Sequence, residues 1–132
     1  MKKIIYTIGY GGIHDLLLFV KALQQENINV ILDVRSVPYS KYHTPYNKEN
    51  LKSVLNGVGI AYLWKGDAIG GLQDGKKIDK GVERLIPILK NSKKNIAVMC
   101  AEKDPDKCHR GYQITPVLLR NGIEVVHLTI EA

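Results

Sequence analysis

Short apolar runs alternate with segments of helical spacing along the whole chain. Lys3 to Ile8 is β-branched and aromatic and stops at Gly9-Tyr10-Gly11-Gly12, which predicts a first strand followed by a glycine turn. Leu16, Leu17, Phe19, Val20 and Leu23 then recur at helical spacing, giving a helix from about Asp15 to Glu26. Ile28 to Val34 is nearly continuous in apolar residues, as in a strand covered on both faces. The stretch from Ser36 to Tyr46 holds Pro38, Pro45 and three tyrosines and has no period, so it reads as a long loop. Asn47 is placed to cap a helix to about Asn56, with Gly57 as its stop.

Ile60 to Trp64 reads as a third strand, and Lys65 to Lys77, rich in glycine and charge, as another long connection. Val82, Leu85, Ile86 and Leu89 predict a helix from about Asp79 to Asn91, kinked at Pro87. Asn95 to Met99 is the strand that delivers Cys100. His109 to Asn121 has Ile114, Val117 and Leu118 in helical spacing, and Ile123 to Ile130 is the last strand. Pro116 disturbs that last helix: either it kinks there, or Thr115 caps a shorter one. Strands alternating with helices predict one α/β domain over residues 1–132, a mainly parallel five-stranded sheet in three layers with helices on both faces. Right-handed crossovers put every strand's C-terminal end on one rim.

Composition narrows the function classes. With 132 residues, 45% hydrophobic and 24% charged, the chain can bury a core without staples and has no apolar run long enough for a membrane span. Met1-Lys2-Lys3 leads into an apolar run that breaks at Gly9, so a signal peptide is not expected and a cytoplasmic protein is. Two cysteines are too few for a secreted disulfide scaffold, which favours a reduced pair. The net charge of +6 favours anionic partners, a nucleotide or a nucleic acid among them.

The rim would gather the reactive groups. Gly9, Gly11 and Gly12 form either a structural turn or a cradle for an anion beside Tyr10. Asp33 and Arg35 would form an ion pair that orders the rim, or Arg35 would clamp phosphate while Asp33 orients it or acts as a base. Cys100 stands where a nucleophile would stand, though a cysteine ending a buried strand also serves as a small packing residue. Cys108, His109 and Arg110 sit at a helix start that suits a thiolate or a bound anion. Tyr39, Tyr42, His43 and Tyr46, interleaved with Arg35, Lys41 and Lys48, either stack on a nucleic-acid strand, with Trp64 as a further stacking surface, or cover the core. A metal site would need Cys100, Cys108, His109 and an imported fourth ligand; that spacing fits no compact zinc pattern, and neither metal nor cofactor is expected.

Four stretches, Thr7-Ile8-Gly9-Tyr10, Asp33-Val34-Arg35-Ser36-Val37-Pro38, Asn47-Lys48-Glu49-Asn50-Leu51, and Cys100 to Pro105 running into Cys108-His109-Arg110, together resemble the domain-of-unknown-function family 488. That resemblance implies a compact α/β domain and no known reaction. Gly111 and Pro116 depart from the pattern. A looser similarity is to rhodanese-type domains, which pair an aspartate-valine-arginine strand end with a later strand ending in cysteine; here the loop Glu102 to Lys107 is longer and partly acidic. The sequence therefore predicts a phosphate-bearing ligand at the rim, held by Arg35 and Arg110, with His109 and Asp33 handling protons. A cysteine-dependent transferase or hydrolase using Cys100, and a non-catalytic interaction module, are the alternatives.

Overall fold

A computed structural model describes residues 2–130; Met1, which opens the stretch read for a signal peptide, lies outside them. Five parallel strands, β1 (Ile4–Gly9), β2 (Val30–Asp33), β3 (Ala61–Trp64), β4 (Ile96–Cys100) and β5 (Glu124–His127), form one sheet in the order β3-β2-β4-β1-β5. The predicted parallel α/β sheet with helices on both faces is the observed one.

The order explains how the layers divide. From β1 the chain moves outward to β2 and then β3 through α1 (Leu16–Gln25) and α2 (Lys48–Gly57). It then reverses through α3 (Gly66–Ile69) and α4 (Gly75–Asn91) to β4, and passes through α5 (Thr115–Arg120) to β5. Right-handed crossovers running in opposite directions put their helices on opposite faces. Phe19, Leu23, Leu51 and Leu55 accordingly pack with Ile8, Ile31, Ala97 and Met99. Val82, Ile86, Leu89, Val117 and Leu118 pack with Ile5, Leu32, Val98 and Cys100. The central strand β4 is buried along its whole length, as its uninterrupted apolar run requires, while the edge strand β5 is mostly exposed.

Several boundaries differ from those predicted, each for a local reason. The connection after β3 is not a plain loop: it contains α3, and α4 starts at Gly75 because Asp74 caps it through the Lys76 N–H at 2.7 Å. α4 also runs on through Pro87. Asn47 occupies the N-cap position of α2, but its side chain accepts from the Ser40 N–H at 2.7 Å, tying the tyrosine loop instead of the helix. That loop closes in a short 3-10 helix, Thr44–Tyr46. Residues Arg110–Ile114 form a π turn that runs without a break into α5, and Pro116 follows directly on that widened turn. Thr115 does not cap α5; its hydroxyl donates to the Arg110 carbonyl at 2.6 Å. Among the described residues no helix is long and apolar enough to cross a membrane.

Candidate functional site

The order in which the chain adds strands reverses at β4, whose neighbours β2 and β1 send their helices to one face while β4 sends its own to the other. Such a switch point opens a crevice beyond the strand C-termini. A cavity of about 460 Å³ lies there, walled by Tyr10 after β1, Arg35 and Ser36 after β2, and Cys100 to Glu102 after β4. Tyr39, His43, Lys107, Cys108, His109 and Tyr112 complete much of the wall. The predicted convergence thus brings Tyr10, Arg35, Tyr39, Cys100, Cys108 and His109 to one place.

Asp33 and Arg35 form the fixed part of this wall. Asp33 is fully buried and accepts the Arg35 backbone N–H at 3.0 Å, its Nε at 3.0 Å and its Nη2 at 2.8 Å. Tyr62 donates its hydroxyl to the same carboxylate. Burial alone would lower the pKa of Arg35, but the hydrogen bonds and charge of Asp33, with Tyr10, more than offset it and raise the pKa. Burial, reinforced by Asp33, raises that of Tyr62. Asp33 therefore orients Arg35, with every approach to it closed by protein. Arg35 Nη1 donates to the Tyr10 hydroxyl at 3.1 Å, and Tyr10 stacks on Tyr46 at 3.9 Å between centroids. A guanidinium has five N–H bonds, so one on each terminal nitrogen has no partner among the described residues.

Arg110 is placed differently from the phosphate holder foreseen in the sequence. It is fully buried and does not line the cavity. Cys108 has extended backbone and His109 helical backbone, so the chain turns sharply and sends consecutive side chains to different sides. Arg110 then points inward, donating Nε to Thr7 Oγ1 at 3.2 Å, Nη1 to the Glu102 carbonyl at 2.8 Å, and Nη2 to the Lys103 carbonyl at 3.1 Å. It holds the loop that follows β4. Gly9 serves the same contact, since a Cβ there would strike the Glu102 carbonyl. Gly12, with φ of 78°, makes the turn itself.

Trp64 and Tyr42 lie off the cavity. Trp64 Nε1 donates to the Arg35 carbonyl at 2.8 Å with the Lys48 ammonium over its ring, and Tyr42 is exposed beside Lys41. Tyr62, Ser36, Lys107 and Tyr112 were absent from the predicted site. Tyr62 is visible only through strand register, which sets Asp33 beside Trp64 and Ile31 beside Tyr62 on the neighbouring strand.

His109 is buried, with Nε2 at 3.1 Å from the Val34 carbonyl oxygen. A carbonyl only accepts, so Nε2 carries the hydrogen and Nδ1 holds the lone pair in the neutral ring. Burial pushes the pKa of His109 below its ordinary 6.5. The folded state then binds fewer protons than the unfolded one, so stability falls as pH drops below about 6.5 and levels off under the folded pKa. His109→Asn should flatten part of that acid loss in urea titrations between pH 7 and 5; an unchanged slope would place the effect elsewhere, for instance at His127, whose pKa burial also lowers.

The sulfurs of Cys100 and Cys108, expected as a reduced pair, face each other at the cavity wall with their Cα atoms 7.5 Å apart, a span that a disulfide closes only with backbone movement. The 3-10 turn Pro105–Lys107 folds the chain back from β4 and makes this approach possible. Among the described residues no cluster of three or more potential metal ligands occurs.

Comparison with known proteins adds a family and little else. The family described as "Domain of unknown function DUF488" matches residues 16–80. Two of the four motif stretches, those beginning at Asp33 and Asn47, lie inside the match. No curated protein and no solved structure matches the chain.

Proposed function

We propose that the rim cavity binds a phosphate-bearing ligand, a nucleotide or the end of a nucleic-acid strand, in the cytoplasm. The observation that carries this reading is the guanidinium of Arg35, held in place by Asp33 and Tyr10, with an N–H remaining on each terminal nitrogen at the cavity wall. A planar fork of this kind matches two phosphate oxygens. Ser36 supplies a hydroxyl whose oxygen already accepts the Leu72 N–H at 2.9 Å, leaving its hydrogen to donate. Lys107 adds an exposed positive charge, and Tyr39 and Tyr112 offer rings for a base. Arg110 acts behind the wall as a positioning residue, and His109 is the group placed to exchange a proton with the ligand.

Lys107→Ala should weaken binding of adenosine monophosphate about tenfold, the loss of one charge-assisted hydrogen bond of roughly 1.5 kcal/mol. It should also reduce the salt slope of single-stranded DNA binding by about one. Glu102→Gln, which removes the opposing charge from the wall, should tighten both. Parent-like affinity and slope in Lys107→Ala, measured by calorimetry and by anisotropy over a salt series, would sink the assignment.

The cysteine-dependent alternative keeps one specific observation in its favour, the presence of both sulfurs on this wall. When they are joined in a disulfide, Cys100 is not a nucleophile, and a transferase or hydrolase would need the reduced pair.

A further inference from the structure

The sulfurs of Cys100 and Cys108 meet at the cavity wall with different neighbours. Each residue is under a tenth exposed, at 3% and 6%, yet both line the cavity. The Arg110 Nη1 lies 3.1 Å from Cys100 Sγ. The His109 Nδ1, which holds the lone pair of its ring, lies 3.6 Å from Cys108 Sγ. A cation beside a sulfur stabilises it as a departing thiolate, and a lone pair beside a sulfur is placed to take up or hand back a thiol proton. A purely structural staple would need neither. The loop between the two residues is moreover already tied by the bonds from Arg110 to the Glu102 and Lys103 carbonyls.

We propose that Cys100 and Cys108 form a reversible dithiol–disulfide couple that exchanges with low-molecular-weight thiols entering the rim cavity. The thiolate of one incoming molecule attacks Cys108 Sγ; a new sulfur–sulfur bond forms there as the bond to Cys100 breaks, and Cys100 leaves as a thiolate beside Arg110. A second thiolate then attacks the incoming sulfur of the mixed disulfide, releasing Cys108 as a thiolate beside His109. The protons shed by the two small thiols pass to the two cysteines. One protein disulfide is reduced to two thiols while two small thiols are oxidised to one small disulfide, and the reverse sequence closes the couple. The direction of attack follows from leaving-group quality, because the sulfur with the more stabilised thiolate departs faster. The couple stands on the neighbours of the two sulfurs and their access to the cavity, and does not depend on phosphate binding.

The test equilibrates the native protein in buffers of reduced and oxidised glutathione, quenches with acid, alkylates and weighs the product. The expected result is one transition from no alkylated cysteine to two, without denaturant. Cys100→Ser should accumulate glutathione on Cys108. In Cys108→Ser, Cys100 should react with iodoacetamide below the ordinary thiol pKa of about 8.5. Cysteines that remain reduced in excess oxidised glutathione, or that open only after unfolding, would overturn the couple. Ordinary alkylation of Cys100 would overturn its role as the departing sulfur.

Discussion

Replacing Asp33 by alanine should destabilise the protein by about 3–5 kcal/mol, the usual consequence of removing one partner from a buried ion pair. Arg35 would remain 7% exposed, with its backbone N–H, Nε and Nη2 all deprived of their acceptor, and the Tyr62 hydroxyl would lose its acceptor too. The penalty is the uncompensated charge rather than the net worth of the pair. Asp33→Ala combined with Arg35→Met should therefore recover part of the loss, although it would remove the proposed phosphate fork. Urea denaturation of the parent, the single and the double variant at pH 7 measures both values. A single-variant loss under about 1 kcal/mol would mean that the pair behaves like an exposed surface bridge, contrary to its burial.

Gly9→Ala should cost about 3 kcal/mol, at the upper end of the usual range for overpacking, because what its methyl would strike is backbone. Gly9 ends β1 opposite Cys100, and a Cβ would overlap the Glu102 carbonyl and press on the Arg110 guanidinium. The loop after β4 must then move, taking with it the carbonyls that Arg110 binds. A lowered urea midpoint with an unchanged slope, together with weakened nucleotide binding, is the expected pair of results. Stability equal to the parent's would show that the loop has freedom which these contacts deny it.

The order of apolar runs was enough to place the strands and to predict their parallel sheet, because central strands such as β4 must be apolar on both faces. The Asp33–Arg35 pair was legible for a related reason, since two charges two residues apart at the end of a buried strand need each other. Other features depend on contacts distant in the chain. Nothing local in Cys108-His109-Arg110 says that Arg110 turns inward to Thr7, Glu102 and Lys103; that follows from the π turn before Pro116. The sulfur pairing likewise depends on the Pro105–Lys107 turn, and the part played by Tyr62 on strand register. The start of α4 was hidden because Gly75 and the lysines after it read as loop, whereas the Asp74 cap decides it. Trp64 was drawn toward the ligand by its place at a strand end, yet its indole N–H is taken by the Arg35 carbonyl.

The stretch Cys100 to Arg110 thus supplies a sulfur pair, a neutral imidazole and an exposed lysine to the cavity, and keeps its arginine for the loop behind it. Phosphate recognition is the role we propose for Arg35. The most direct test of that claim is a titration of 15N-labelled protein with adenosine monophosphate, followed by amide chemical shifts. Saturable shifts concentrated at Arg35, Ser36 and Lys107 to Tyr112 are the predicted result. No saturable shifts, or shifts confined to the exposed basic group Lys76, Lys77, Lys80 and Arg84 on α4, would contradict it.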